Sequence, residues 1–300
     1  MRITPEKQFL AIIGRRSTLD EAGDSGDCLG VKFEYSLLLV IVTAMLLAKA
    51  TFMIVSPHAT EAKAAVAAVA ATPPVLPGPQ RAAAAESRVR PALEAALEEQ
   101  GLEFGAPVFV RAFKEEMEME VFVRDSATKK FRLFRTYPIA RSSGVLGPKL
   151  LEGDGQVPEG FYFVPPAAMK PDSQFHLAFN IGYPNAYDQF HRRTGNSIMV
   201  HGNAVSAGCL AMTDVKIEEI YTLCAAALRN SQAFFRVQIF PFRMSDERLA
   251  KAAGDRWEPF WRNLKQGYDF FETHGFPPDA TVENGTYQFR DDAGGETSGL

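Results

Sequence analysis

The chain has 300 residues, of which 46% are hydrophobic and 23% are charged. This is the composition of a globular protein with one sizeable core and additional segments, and it excludes a fibrous or wholly disordered chain. The formal net charge of -4 provides no broad basic field of the kind that neutralises a phosphate backbone. Nucleic acid is therefore excluded as a partner.

The N-terminal segment bears on the cellular location of the protein more than on its catalytic chemistry. Residues 1–35 are mostly polar, and residues 36–56 form an apolar run interrupted only by Lys49. That run is long enough to cross a bilayer, and its first part also has the length of a signal-peptide core followed by small-x-small cleavage patterns. A cleaved signal and an uncleaved anchor both remain open, as does a later translation start. We expect an exported protein, periplasmic or anchored to the inner membrane, that contacts the membrane only through this segment.

The remaining domain boundaries follow from composition. Residues 57–91 are rich in Ala and Pro, which predicts a semi-stiff linker because little apolar surface is available to offset ordering. The folded domain is predicted at 92–285, starting with a helix that ends near Gly101, and residues 286–300 are predicted to be a flexible tail.

Short alternating runs dominate the folded part and predict strands, at 107–113, 119–125, 131–139, 159–164, 175–181, 196–202 and 234–242. A helix is predicted to begin at Thr213 or Asp214, either of which can cap it. The fold class is therefore mainly β with packed helices (α+β), as a sandwich or barrel. The aromatic stripe at 257–271 has helical spacing, which favours a helix that covers the core over a sugar-binding platform.

The cysteines do not form a structural framework. Cys28, Cys209 and Cys224 are too few for a disulfide scaffold and lack the CxxC spacing of metal sites, although a bridge between Cys209 and Cys224 stays open. Cys224 lies on the apolar stripe of a helix and is predicted to be a core residue. A closed zinc site needs four ligands, and only His191 and Cys224 are near the loop described next. No metal and no cofactor are therefore expected.

The loop 201–209, HGNAVSAGC, carries the chemistry. His201 ends an apolar strand, and the carbonyl of Gly202 can accept a proton from one imidazole nitrogen. The amides of Gly208 and Cys209, near a helix start, outline an oxyanion hole. An imidazolium and a helix N-terminus would lower the pKa of the Cys209 thiol, so that it forms a thioester. Ser206 is expected to shape the loop through backbone hydrogen bonds.

The stretch MVHGNAVSAGCLAMTD (199–214) resembles the signature of the L,D-transpeptidase catalytic-domain family (YkuD type), which shares histidine–glycine followed by serine-x-glycine-cysteine. Residues 136–164 and 179–202 resemble the corresponding segments of one subgroup. The resemblance implies a β-rich catalytic fold with Cys209 as nucleophile, His201 as base and Gly202 as orienting carbonyl. It also implies diaminopimelate-containing stem peptides of peptidoglycan as substrate, in cell wall organisation.

The chain departs from the wider family pattern in the short histidine-to-cysteine loop, in Ala207 at the position of a second histidine, and in Ala211 at the position of an arginine. These features resemble the subgroup, in which hydrolysis of diaminopimelate-linked amides, including detachment of wall-bound lipoprotein, is an alternative to cross-linking. The expected activity is acyl transfer, with an amidase as the alternative. A noncatalytic wall-binding module and a cytosolic cysteine hydrolase remain as further hypotheses.

Polar side chains in the long loops are candidates for gripping the zwitterionic end of diaminopimelate through charge-assisted hydrogen bonds. Besides Ser206, they are Arg141, Lys149, Asp154, Glu159, Arg193 and Asn196. Each could equally be a solvated surface group.

Overall fold

A computed structural model describes residues 76–291 of the chain. The apolar run at 36–56 and its flanks lie outside the described residues, so the membrane segment stays a prediction. Within 76–291, none of the helices combines the length and the apolar composition that crossing a bilayer requires.

The described residues form helices and short strands in an α+β arrangement. The helices are α1 (Gly78–Glu99), α2 (Ala186–Phe190), α3 (Asp214–Arg229), α4 (Asp246–Ala250) and α5 (Glu258–His274). The strands are β1 (Val108–Phe113), β2 (Glu118–Arg124), β3 (Phe131–Pro138), β4 (Gly160–Val164), β5 (Met169–Lys170), β6 (Ala178–Asn180), β7 (Met199–His201), β8 (Leu210–Ala211), β9 (Phe235–Phe240), β10 (Asp279–Glu283) and β11 (Thr286–Arg290).

The strands form two sheets and a hairpin. A five-stranded sheet has the order β3-β2-β1-β9-β4, a four-stranded sheet has the order β5-β6-β7-β8, and β10 pairs with β11. The neighbours are antiparallel except at β1/β9 and β7/β8. All seven predicted strands and the β1–β3 meander are confirmed, whereas β5, β8, β10 and β11 were not predicted. Strands of two residues, such as β5 and β8, are too short to show an alternating pattern.

The large sheet separates two parts of the core. Val237 and Ile239 belong to the cluster that includes residues of α1, α3 and the smaller sheet, whereas Phe240 packs on the other side with residues of α5 and β11. The aromatic stripe of α5 is buried, at Phe260, Trp261, Leu264 and Phe271, which confirms the core interpretation. Cys224 is fully buried in the core, and both described cysteines are free thiols.

Two predicted boundaries were wrong. Helix α1 begins at Gly78, inside the segment assigned to a linker, and β11 lies inside the predicted tail and buries Tyr287. Tertiary packing overrides composition in both places: α1 buries Ala85, Leu93 and Leu97, and such contacts stabilise a helix that its own sequence does not specify.

Candidate active site

The register of β7 and β8 places the histidine and the cysteine on one face of the smaller sheet. His201 is opposite Ala211, and Val200 is opposite Leu210, so Cys209 lies next to Met199. Residues opposite each other share a face, and so do residues two apart along a strand. His201 and Cys209 are therefore diagonal neighbours on the same face.

The imidazole of His201 is held in one tautomer. Its Nδ1 lies 2.6 Å from the carbonyl oxygen of Gly202, and because a carbonyl only accepts, Nδ1 carries the proton and Nε2 keeps its lone pair. The ring of Phe175 lies 4.8 Å from the imidazole, centre to centre. Burial lowers the pKa of His201, and the Gly202 carbonyl partly opposes this shift. The lowered pKa favours the neutral imidazole with its lone pair on Nε2, and the contact with Gly202 is the one that the sequence predicts.

Gly202 is required for space. An added Cβ would lie 2.6 Å from Oδ1 of Asp214, 2.7 Å from the carbonyl oxygen of Phe175 and 3.0 Å from Cβ of His176. Any side chain would displace either the start of α3 or the loop that carries Phe175.

The thiol of Cys209 is partly exposed and lies against backbone groups. The amide of Met199 donates to Sγ at 3.4 Å, and Sγ lies 3.9 Å from the carbonyl oxygen of Ser197. Burial raises the pKa of Cys209, while the Met199 amide and the charge of Lys149 oppose the rise. The predicted lowering of the thiol pKa is thus wrong for the resting site. Strand β8 separates Cys209 from α3, so the helix N-terminus does not reach the sulfur, and His201 is not an imidazolium.

The two predicted oxyanion donors point to serine hydroxyls. The amide of Gly208 donates to Oγ of Ser143 at 2.6 Å, and the amide of Cys209 donates to Oγ of Ser206 at 3.2 Å. Ser206 also donates to the carbonyl of Cys209 at 2.7 Å. Its loop-shaping role is therefore seen, whereas an oxyanion hole formed by free amides is not. Nor does the side chain of Thr213 cap α3.

Two charged candidates, Lys149 and Asp154, form an ion pair with each other. Lys149 is buried, and its Nζ donates to Asp154 Oδ1 at 2.6 Å and to the carbonyl of Leu151 at 2.8 Å. Asp154 also accepts backbone amides of its own loop, and these contacts contribute to a pKa of about 2, against the opposing effect of burial. The pair closes the loop at 149–156. Direct substrate contact stays a prediction for both, and the charge of Lys149 acts on the thiol.

Two other candidates are buried in the core. Glu159 accepts from Lys114 Nζ at 2.9 Å and from the indole of Trp261 at 2.8 Å. Arg193 donates to Asp188 at 2.8 Å and is 7% exposed. Both side chains have ion-pair partners in the core and little exposed surface, although Nε of Arg193 is buried without a hydrogen-bond partner.

Arg141 and Asn196 are exposed, and only Arg141 is fixed relative to the site. Its backbone forms an antiparallel bridge with Ala211, so its side chain emerges on the face that Ala211 shares with His201 and Cys209. Asn196 lies in the segment that leads into β7. Neither side chain has a hydrogen bond or ion pair among the contacts described for residues 76–291.

Sequence reasoning missed several residues that shape the site. Phe175 lies on a loop that Arg81 of α1 holds, because its Nη1 donates to the carbonyls of Ser173 at 2.7 Å and His176 at 2.6 Å. Neither Phe175 nor Met199 carries a recognisable motif, and only the pairing of β7 with β8 could have indicated Met199.

A free thiol on the same face as an imidazole, whose other nitrogen is fixed by a carbonyl, is the arrangement of thiol–imidazole acyl-transfer sites. Within residues 76–291 no cluster of potential metal ligands is present. Residues 109–266 match the L,D-transpeptidase catalytic domain family (YkuD), and the chain belongs to that family. The family relates the chain to peptidoglycan.

The chain is also similar to individual proteins. It is 43% identical to YafK of Escherichia coli K12 and of O157:H7, a proposed L,D-transpeptidase, over 183 residues that cover 61% of this chain and 74% of the relative. A point mutant of the helical cell shape determining protein Pgp2 from Campylobacter jejuni matches with a TM-score of 0.37 at 20% identity, covering 60% of this chain and 63% of that one. Bd1075 of Bdellovibrio bacteriovorus matches with a TM-score of 0.34 at 20% identity, covering 55% and 58%.

Proposed function

We propose that the chain is a peptidoglycan-modifying cysteine acyltransferase of the L,D-transpeptidase type, acting on diaminopimelate-containing stem peptides. The observation that carries the proposal is the placement of His201 and Cys209 on one face, with Nδ1 of His201 bound to Gly202. Family membership supports the substrate class.

The proposed chemistry follows from the neutral resting pair. Nε2 of His201 takes the thiol proton as Sγ of Cys209 attacks the carbonyl carbon of the substrate amide. The tetrahedral intermediate expels the amine, which receives that proton from the imidazolium, and a thioester remains. An incoming amine or water gives its proton to His201 and attacks the thioester, and the imidazolium then returns this proton to Sγ of Cys209 as the sulfur departs. General-base activation at the moment of attack replaces the preformed ion pair.

The second candidate is an amidase that uses water as acceptor and cleaves diaminopimelate-linked amides, such as lipoprotein attachments. The observation that favours it is the departure from the wider family pattern at Ala207 and Ala211. The two activities differ only in the acceptor. Incubating the full chain with defined muropeptides, with and without a lipoprotein-linked one, and weighing the products distinguishes them: new cross-links indicate a transferase, and freed stems indicate a hydrolase.

The nucleophile is tested with a matched pair of cysteine variants. Cys209→Ala should abolish turnover of muropeptides with the fold intact, whereas Cys224→Ala, at the other described cysteine, should retain turnover because Cys224 is buried in the core. Mass spectrometry of the wild type should detect the acyl adduct on Cys209. Turnover by Cys209→Ala would refute the mechanism, and binding of stem peptides without turnover by the wild type would favour the wall-binding module.

Arg141 is proposed as the anchor for the substrate carboxylate. The backbone bridge to Ala211 puts Arg141 beside the position where the wider family has an arginine. A charge-assisted hydrogen bond to substrate is worth about 1.5–3 kcal/mol. We expect Arg141→Ala to raise KM with little change in kcat. Arg141→Lys keeps the positive charge, so its KM should lie between those of the wild type and Arg141→Ala. An unchanged KM in both variants would remove Arg141 from the site.

Location remains a proposal that rests on the sequence. The apolar run at 36–56 favours an exported protein. A C-terminal alkaline phosphatase fusion tests whether the domain that follows this run is exported. An active fusion supports export, and an inactive fusion made in normal amounts would support a cytosolic enzyme.

A further inference from the structure

A cavity of about 340 Å³ lies at the β4/β9 edge of the large sheet, beneath β10. Its walls include Phe161 and Phe163 of β4, Arg236 and Gln238 of β9, and Thr281 of β10. Cavities of this size accept small ligands. None of the residues of the candidate active site lines it, so any ligand here binds separately from the acyl-transfer chemistry.

The register explains why a polar side chain lines the cavity. Gln238 is opposite Phe161 and Arg236 is opposite Phe163, so these four side chains share one face. Val237 and Ile239 point to the other face and belong to the main core. Arg236 lies toward the rim, with its guanidinium 3.7 Å from the carboxylate of Asp279. Gln238 is 1% exposed.

The amide of Gln238 has an unused donor and an unused acceptor. Both its Nε2 and its Oε1 are buried without a hydrogen-bond partner, and Oγ1 of Thr281 across the cavity is in the same state. Buried polar groups are normally hydrogen-bonded, because leaving them unpaired is costly. Three unpaired polar atoms around one cavity therefore point to a bound group that pairs with them.

A second buried glutamine shows how this fold treats such side chains elsewhere. Gln232 is 7% exposed, and its amide makes both of its bonds to the backbone of Val108, accepting at 3.0 Å and donating at 2.9 Å. The unpaired state of Gln238 is thus not a general property of glutamines in this core.

The chemistry of the cavity selects one class of ligand. A side-chain amide offers an N–H and a carbonyl oxygen side by side, and the complementary group is another carboxamide. The walls next to it are aromatic, including Phe161, Phe163 and Phe234, and they fit an apolar body. We propose that this cavity binds a carboxamide with an apolar body, whose carbonyl accepts from Nε2 of Gln238 and whose N–H donates to Oε1. The carboxamide belongs either to a free small molecule or to a peptide.

The proposal is tested by NMR, in which the ¹⁵N-labelled full chain is titrated with three probes. Benzamide represents a free amide, N-acetyl-leucinamide represents a peptide, and methyl benzoate keeps the shape and the acceptor of benzamide but has no donor. Benzamide or N-acetyl-leucinamide should shift the side-chain NH₂ signal of Gln238 saturably. Methyl benzoate should bind about tenfold more weakly than benzamide, the equivalent of one hydrogen bond. The amide probe that binds more tightly shows whether the carboxamide belongs to a free small molecule or to a peptide.

Matched variants separate this site from nonspecific binding. Gln238→Leu should weaken amide binding by about tenfold or more, and Gln238→Met provides the same comparison if the leucine variant does not fold. Thr222→Val removes another buried, unpaired hydroxyl that does not line the cavity, and it should leave binding unchanged. The proposal is overturned if neither amide probe shifts Gln238, if methyl benzoate binds as tightly as benzamide, or if a folded Gln238 variant binds as the wild type does.

Discussion

Replacing Gly202 with alanine tests the proposed positioning of the base. The added Cβ would lie 2.6 Å from Asp214 Oδ1 and 2.7 Å from the carbonyl oxygen of Phe175, distances that real Cβ atoms do not tolerate. Overpacking of this kind costs about 1–3 kcal/mol of folding free energy. For a domain of this size that lowers Tm by about 2–12 °C.

The same displacement reaches the chemistry of His201. Movement of the Gly202 carbonyl weakens the 2.6 Å bond to Nδ1, and movement of the Phe175 loop removes the ring that lies against the imidazole. Loss of one hydrogen bond of about 1–1.5 kcal/mol, together with a less well oriented base, should reduce kcat/KM by about 10- to 100-fold.

The assay pairs urea unfolding with turnover of a defined muropeptide, followed by mass spectrometry. The control is Gly254→Ala, because an added Cβ at Gly254 meets nothing within 4 Å and the only cost there comes from the positive φ of 82°. The control should lose about 1–2 kcal/mol of stability and keep its activity. If Gly202→Ala keeps wild-type activity, the positioning argument for Gly202 is wrong.

Four further predictions concern charge and packing. As the pH is lowered, kcat/KM should fall only below about pH 6.5, the ordinary pKa of histidine, because burial lowers the pKa of His201 and the base must be neutral. Alkylation of Cys209 should be slow at neutral pH and become faster only in alkaline solution, because burial raises the thiol pKa. Glu159→Gln should lower the free energy of unfolding by about 3–5 kcal/mol in urea titrations, because Lys114 is left buried without its carboxylate. Arg81→Ala should reduce kcat with a smaller effect on KM, because Arg81 holds the loop that carries Phe175.

Each of these has a contrary result. A thiol that iodoacetamide alkylates rapidly at neutral pH would mean that the resting thiol is ionised. A kcat/KM that already falls with acid above pH 6.5 would mean that burial does not lower the pKa of His201. A Glu159→Gln protein as stable as wild type would mean that Lys114 finds another partner. Arg81→Lys should recover part of the activity, because both carbonyls accept from the single atom Nη1 and an ammonium also carries several donors on one nitrogen. An Arg81→Lys protein no more active than Arg81→Ala would argue against this placement.

The sequence alone determined the elements whose pattern is local. Side chains alternate along a strand and repeat every 3.6 residues along a helix, so the seven strands and the aromatic stripe of α5 could be predicted from spacing. The loop from His201 to Cys209 could be predicted as well, because its residue types are rare in the chain and carry the family signature. The contact of His201 with the next carbonyl is also local, and it was found where it was predicted.

Tertiary structure decided which charged groups are free and which are occupied. Glu159 meets Lys114 across 45 positions and Trp261 across 102 positions of the chain, and no local pattern reveals such partners. The same holds for the amide of Met199 at the thiol and for α1, whose Ala- and Pro-containing sequence becomes a helix by packing on the core. A pKa depends on burial and on neighbours that the fold brings together, and for that reason the sequence indicated the reacting pair but not its resting protonation state.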